Sequence, residues 1–344
     1  MRDETRRAEH RRNTRLEAVL AALAADLAPA AADLRAPADA PQLPPVFVVG
    51  CPRSGTTLAY QWLASSGLFT YPSNFTARFP SAPWIGERIQ QLLRDPACDF
   101  RGELALEPVA RTESYHSRLG KTRGPFAPHE FWYWWRRFLP EGETHALDAG
   151  QLARIDSARL LRELAAWEAV LAKPLLLKGM ILDWNLPWLA RLLPRAVFVH
   201  VHRDPFCTMQ SLLAARMDFF GNTREWYSFR PPEYPLLKNR PAVAQVAAQI
   251  HLTDGAVAAG LAGLPASRRL EVAYEDLCRD PAAVHGQVVE RLAAHGHQVP
   301  AAYAGPASFP VRDTVRVPPA EAEALRAAWH EVAGTAPARE LQPA

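Results

Sequence analysis

The stretch Val46-Phe-Val-Val-Gly50-Cys-Pro-Arg-Ser-Gly55-Thr56-Thr57-Leu58 constrains this chain more than any other. Four consecutive apolar residues, three of them valine, predict a strand buried on both faces. Two glycines separated by four residues then predict a tight loop, and Thr56-Thr57-Leu58 opens a helix. Strand, glycine loop and helix in that order form the plan of a phosphate-binding loop. Backbone N–H groups turn inward toward phosphate oxygens, and the helix N-terminus adds its dipole. In P-loop nucleotidases a lysine follows the second glycine; here that position is Thr56, and the cation is Arg53, inside the loop. Without the lysine the contact to the β- and γ-phosphates of ATP is missing. The pattern therefore favours a phosphate-like group other than the γ-phosphate of ATP. A strand-to-helix turn that uses glycine for geometry alone is the bland alternative, and Arg53 beside Thr56 and Thr57 speaks against it.

Three further apolar runs have strand character: Leu175 to Leu177, Val197 to Val201 and Leu270 to Ala273. None alternates cleanly with polar residues. Helical stretches separate them, at Leu58 to Ser65, Ser157 to Leu171, Leu186 to Leu193, Pro205 to Ala215, Val243 to Ala262 and Ala282 to Ala294. Strands alternating with helices predict an α/β, P-loop-like three-layer fold: a central parallel sheet flanked by helices. The hundred-odd residues between the first two strands are too many for one crossover, so a helical insertion is expected at about 70–170, where substrate selection would reside. Residues 1–40 are expected to form a helical extension, since Leu16, Val19, Leu20, Leu23 and Leu27 fall on one helical face. That helix packs on the body, on a second copy in a homo-oligomer, or less plausibly on a membrane surface. Ala36 to Pro45, rich in proline, reads as a linker into a single domain spanning 41–344.

Composition narrows the classes further. With 49% hydrophobic and 22% charged residues the chain is neither disordered nor collagen-like. Its net charge of +3 is too small to argue for nucleic acid, yet it would not repel an anionic ligand. No run reaches the 18 apolar residues of a membrane span and no secretory leader is apparent, so a cytoplasmic location is expected. Cys51, Cys98, Cys207 and Cys278 are scattered, which excludes zinc ribbons and disulfide scaffolds. His200 and His202 share a strand face, but no further metal ligand accompanies them, and no metal site is expected.

A second anion site is legible in Val197-Phe-Val-His-Val-His202-Arg203-Asp204-Pro205. A buried strand ends in Arg203, Asp204 is a helix N-cap, Pro205 takes the first helical position, and Ser211 follows two turns later. Arginine and serine so placed can converge on one phosphate at the carboxyl edge of a parallel sheet. Together the two segments resemble sulfotransferases that use 3′-phosphoadenosine 5′-phosphosulfate (PAPS). The run Pro52-Arg-Ser-Gly-Thr-Thr57 looks like their 5′-phosphosulfate loop, in the form found in tyrosylprotein sulfotransferases and many bacterial members. The resemblance implies that Arg53, Ser54, Gly55, Thr56 and Thr57 bind the 5′ end of PAPS, while Arg203 and Ser211 bind its 3′-phosphate. Leu175-Leu-Leu-Lys178 resembles the family segment that carries a lysine beside the transferred sulfonate, and Glu271 to Leu277 the strand and turn that close the sheet. Arg312 and Arg316 are further candidates to approach the 3′-phosphate or the adenine.

Sulfonate transfer is an in-line displacement in which positioning and positive charge contribute most, a role suited to Arg53, the loop amides and Lys178. A hydroxyl or amine acceptor, on a small molecule, glycan or lipid, needs a general base. Tyrosylprotein sulfotransferases place a glutamate about 20 residues after the loop, whereas Tyr71 to Pro83 contains no acid here. The base is therefore sought in the insertion: His129 first, Glu130 second, then Glu113 and His116. Phe131, Trp132, Tyr133, Trp134 and Trp135 read mainly as core, in part as a wall of an acceptor pocket. Two other readings compete: an ATP-dependent kinase, which would need the missing lysine and Mg²⁺, and a non-catalytic module that binds 3′-phosphoadenosine nucleotides.

Overall fold

The computed structural model describes residues 3–95, 97–98, 115, 117–300 and 302–334. Six strands occur among them: β1 (Val46–Val49), β2 (Ser117–Arg118), β3 (Lys121–Thr122), β4 (Leu176–Lys178), β5 (Val197–His202) and β6 (Arg269–Ala273). Four form one sheet in the order β4-β1-β5-β6, every pair parallel, and β2-β3 is a separate antiparallel hairpin. The register sets Val48 beside Lys178, Val49 beside His200, and His202 beside Ala273. The chain thus leaves β1, β4, β5 and β6 at one carboxyl edge, through Gly50, Gly179, Arg203 and Tyr274.

Strand periodicity divides the core. Phe47, Val49, Leu177 and Phe198 join one apolar cluster with Leu160, Leu164, Trp134, Trp135 and Trp167 of the insertion. Val46, Val48, Leu176, Val197, Val199 and Val201 join the other with Ala59, Tyr60 and Leu63 of the helix Thr56–Ser65 and Val284 and Val288 of the helix Pro281–Ala294. Helices on both faces explain why these strands read as uninterrupted apolar runs. A third cluster joins the helices Pro205–Phe220, Ala242–Ala262 and Pro319–Ala333. The three-layer α/β expectation is met. Among the described residues no helix is long and apolar enough to cross a membrane.

Element bounds depart from expectation where packing decides them. The helix from Pro205 continues past Ala215 because Phe219 and Phe220 are buried, and Gly221 stops it with φ of 78°. Tyr274 to Leu277 is not a bare turn but part of the helix Tyr274–Arg279. Ala36 to Pro45 is no free linker: the Gln42 and Leu43 amides donate to the Glu168 carboxylate at 2.8 and 3.0 Å. The N-terminal helix is Thr14–Asp26, capped by Asn13, and Arg159 and Arg162 reach back to the carbonyls of Ala31 and Leu34. Between β1 and β4 lie the β2-β3 hairpin and the helices Pro83–Arg94, Trp132–Phe138 and Ser157–Leu171. All four cysteines are free.

Phe131, Trp134 and Trp135 of the aromatic run are buried. Trp167, fully buried, packs against Phe131 and donates from Nε1 to the buried Glu87 at 3.1 Å. Trp167→Phe keeps most of the packing and leaves one carboxylate oxygen of Glu87 unpartnered. It should cost about 1–3 kcal/mol of stability, read from urea unfolding; a change below about 0.5 kcal/mol would show that this hydrogen bond is dispensable.

Candidate active site

The loop after β1 is held by close approaches that only glycine allows. Gly50 has φ of 129°, and a Cβ there would strike the Val201 carbonyl oxygen of β5. Gly55 has φ of 100°, and a Cβ there would come within 2.5 Å of the Tyr274 ring. Arg53 itself adopts φ of 73°, a left-handed conformation uncommon outside glycine. The Ser54 hydroxyl donates to the Val201 carbonyl at 2.7 Å, and the Thr56 hydroxyl to Met180 Sδ at 3.4 Å. Both side chains are therefore committed to the scaffold. The backbone N–H groups of Arg53, Gly55, Thr56 and Thr57 make no hydrogen bond among the described residues, as expected at a helix N-terminus open to a ligand.

Four arginines gather beside these amides. Arg53 Nε donates to Ser211 Oγ at 3.1 Å, joining the loop to the helix Pro205–Phe220. Arg203, buried at the end of β5, donates to the backbone carbonyls of Arg53 and Arg312 and lies 4.6 Å from the Tyr274 ring centroid, a cation–π distance. Its Nε is buried without a partner. Arg312 and Arg316 come from the exposed segment that follows the last helix of the sheet region. Tyr274 Oη accepts from the Arg312 amide at 3.3 Å, and Gln210 clamps the segment by accepting from the Arg316 amide and donating to the Thr314 carbonyl. The Arg53 guanidinium is held below its ordinary pKa, first by burial and then by repulsion from Arg203, Arg316 and Arg312, with Tyr227 opposing. Among the described residues none of the four is ion-paired with a carboxylate. Like charges gathered around the buried Arg203 without a counter-ion favour a multiply charged anion.

The other side of the loop carries a different set. Lys178 Nζ, at the end of β4, donates to Thr57 Oγ1 at 2.9 Å and to Glu130 Oε1 at 2.5 Å. Trp132 Nε1 holds the second oxygen of Glu130 at 2.7 Å. His129 makes no hydrogen bond to this trio among the described residues: its Nδ1 accepts from the Phe131 amide at 2.9 Å, its own amide donates to the Pro72 carbonyl, and its carbonyl accepts from Tyr60. Burial lowers its pKa to about 4. Glu113 and His116 lie outside the described residues. Sequence reasoning placed Tyr274 in the segment that closes the sheet but gave it no part in the site, where it supports both Gly55 and Arg203; Gln210 it missed, since that residue carries no motif.

The family model of the sulfotransferase family matches residues 44–295, most of the chain. The chain belongs to the sulfotransferase family. Among solved structures it is similar to sulfotransferase STF9 from Mycobacterium avium, with 19% identity over 89% of this chain and 80% of that one and a TM-score of 0.52. It is also similar to STF1 from Mycobacterium tuberculosis H37Rv, with 18% identity over 81% and 73% of the two chains and a TM-score of 0.47. No curated protein matches. At such identities the first likeness speaks for the fold; the family match makes this protein a sulfotransferase, with Arg53, Lys178 and Arg203 all inside the matched span.

The depressed pKa of His129 makes the stability of the sulfotransferase pH-dependent with a defined sign. The unfolded chain takes up the proton near pH 6.5 and the folded one near pH 4, so stability is full above about 6.5 and falls as the pH drops toward 4. His145, also at about 4, adds in the same direction. Melting temperatures between pH 4 and 7.5 should fall less steeply for His129→Gln than for the wild type. Parallel curves would mean that His129 does not titrate abnormally.

Proposed function

We propose that this sulfotransferase takes its sulfonate from PAPS and delivers it to a hydroxyl, or an amine, of a small-molecule, glycan or lipid acceptor. The observation that carries the reading is the set of four arginines, free of carboxylate partners among the described residues, beside the unengaged amides of Arg53, Gly55, Thr56 and Thr57. The residues fit a nucleotide with an anionic group at each end of its ribose. Arg53 and the amides of Gly55, Thr56 and Thr57 would hold the 5′ end, and Arg203, Ser211 and Arg312 the 3′-phosphate. The side chains of Ser54 and Thr56 serve the loop rather than the ligand in this scheme. Bound there, PAPS would supply a sulfonate activated by its phosphate leaving group.

The chain's own contribution is orientation, charge and a proton acceptor. Lys178 stands where β4 meets the loop, so its ammonium can stabilise charge on the sulfonate oxygens. Glu130 is read as the base, ahead of His129. Its carboxylate touches Lys178, whereas His129 Nδ1 is engaged by a backbone amide and the ring, with a pKa of about 4, is a weak proton acceptor. An acceptor hydroxyl placed between Lys178 and Glu130 would lose its proton to the carboxylate as its oxygen attacks sulfur.

Two measurements test the reading. 3′-Phosphoadenosine 5′-phosphate should raise the melting temperature well beyond ATP, and Arg203→Ala should weaken its binding by about 1.5–3 kcal/mol, the range for hydrogen bonds to a charged group. Equal shifts with both nucleotides would remove the case for a 3′-phosphate site. With sulfonate-labelled PAPS and a panel of phenols, sugars and lipid alcohols, Glu130→Gln should lower kcat by roughly 10² to 10⁴ while nucleotide affinity stays unchanged. Normal turnover in Glu130→Gln beside an inactive His129→Ala would restore His129 as the base.

A further inference from the structure

Beside the start of the loop lies a group of titratable residues that the scheme above does not use, Asp183 and His200 buried and Asp254 half-buried. Asp183 is fully buried, and its Oδ1 accepts from the Gly50 amide at 3.4 Å. Asp254, on the helix Ala242–Ala262, accepts from the next amide, Cys51, at 3.3 Å. His200 of β5 is buried with its Nε2 3.7 Å from Asp254 Oδ1. These groups do not form a shared ion site: among the described residues only Glu9, His10 and Asp218 bring three ligand atoms within 4.8 Å of one another.

We propose that Asp183, assisted by Asp254, is a positioning residue that sets the shape of the phosphate-binding loop. Consecutive amides at the start of the loop are drawn backward by the two carboxyl groups. The following amides, Arg53 and Gly55 to Thr57, are left to turn forward. The segment that carries Asp183 grips the loop at three points within six residues: Lys178 Nζ on Thr57 Oγ1, Met180 Sδ on Thr56 Oγ1, and Asp183 Oδ1 on the Gly50 amide. One short piece of chain thereby fixes both ends of the loop and the lysine that serves it.

Charge supports the assignment. An ionised carboxylate close to an anion-binding loop opposes the ligand. Asp183 is held well above the ordinary carboxyl pKa, chiefly by burial and further by Asp254, with the Gly50 hydrogen bond and Lys178 opposing. Burial thus works against the ionised form of Asp183 in the place from which it accepts from Gly50. Asparagine has nearly the same shape, no ionisable group and a carbonyl oxygen in the same place; alanine has neither the shape nor the oxygen.

The inference rests on the PAPS reading for its ligand, and the test separates the two. Binding of 3′-phosphoadenosine 5′-phosphate is measured by calorimetry for the wild type, Asp183→Asn, Asp183→Ala, Asp254→Asn and Asp254→Ala, with circular dichroism as the check on folding. Both asparagine variants should stay within about threefold of the wild type, and both alanine variants should weaken binding about tenfold or more, roughly the loss of one hydrogen bond. Should Asp183→Ala fail to fold, the Asp254 pair carries the comparison. Alanine variants that bind as the wild type does would overturn the proposal, and so would asparagine variants as weak as alanine. If the wild type ignores this nucleotide, the donor reading falls, and the same variants are compared with inorganic pyrophosphate as the loop's probe; pyrophosphate binding equal in all five would sink the positioning role independently.

Discussion

The site depends on how tightly the β1 loop presses against its neighbours. A glycine at 50 lets the backbone pass under the Val201 carbonyl, and a glycine at 55 lets the first helical turn rest on the Tyr274 ring. Both contacts join β1 to chain segments far away in sequence, β5 and the helix after β6. The parallel pairing of β4, β1 and β5 makes this feasible by bringing three strand ends to one edge. Each strand delivers a residue that the site uses, with Lys178 at the end of β4, Gly50 directly after β1 and Arg203 directly after β5. Apolar burial on both sheet faces holds the strands, and the strands hold the chemistry. A loop that relaxed by even one side-chain carbon at either glycine would move Arg53 and the helix N-terminus together.

Electrostatics divides that edge into two halves. Toward β5 and β6 the arginines accumulate without carboxylate partners among the described residues, which costs most at the buried Arg203 and turns favourable once an anion is present. Toward β4 the opposite choice is made, and Lys178 is paired with Glu130. The loop lies between, contacting Ser211 on one side through Arg53 and Lys178 on the other through Thr57. Free cations and a paired cation are thereby placed on separate sides of a single turn.

The four sheet strands and the loop were legible in the sequence because each signal is local: an apolar run, paired glycines, a capped helix start. Arg53, Lys178, Arg203 and Ser211 were legible because they sit at fixed offsets from those signals, and the fold brings Arg53 to Ser211 and Lys178 to Thr57. What escaped is tertiary. Nothing around Asp183 or Tyr274 distinguishes a residue that supports the loop from an ordinary one, since their partners lie 133 and 219 positions away in the chain. The sequence put His129 ahead of Glu130, and it could not show that Glu130 would meet Lys178 while His129 Nδ1 meets the Phe131 amide, since adjacent residues near a helix start diverge with the local backbone turn. Phe131, with φ of 59°, makes that turn. The short strands β2 and β3, two residues each, carry too little pattern to be seen.

Arg312 and Arg316 lie beyond residue 295, where the family match ends. A chain cut there would keep the loop, Lys178, Glu130 and Arg203, and would lose two of the four cations together with the helix Pro319–Ala333 that packs on the helix bearing Ser211. The matched span thus holds the loop, Lys178 and Arg203, while the segment after it supplies two of the four arginines. The positive charge beside the loop can therefore be altered in that segment, by length or by composition, without touching any residue of the matched span.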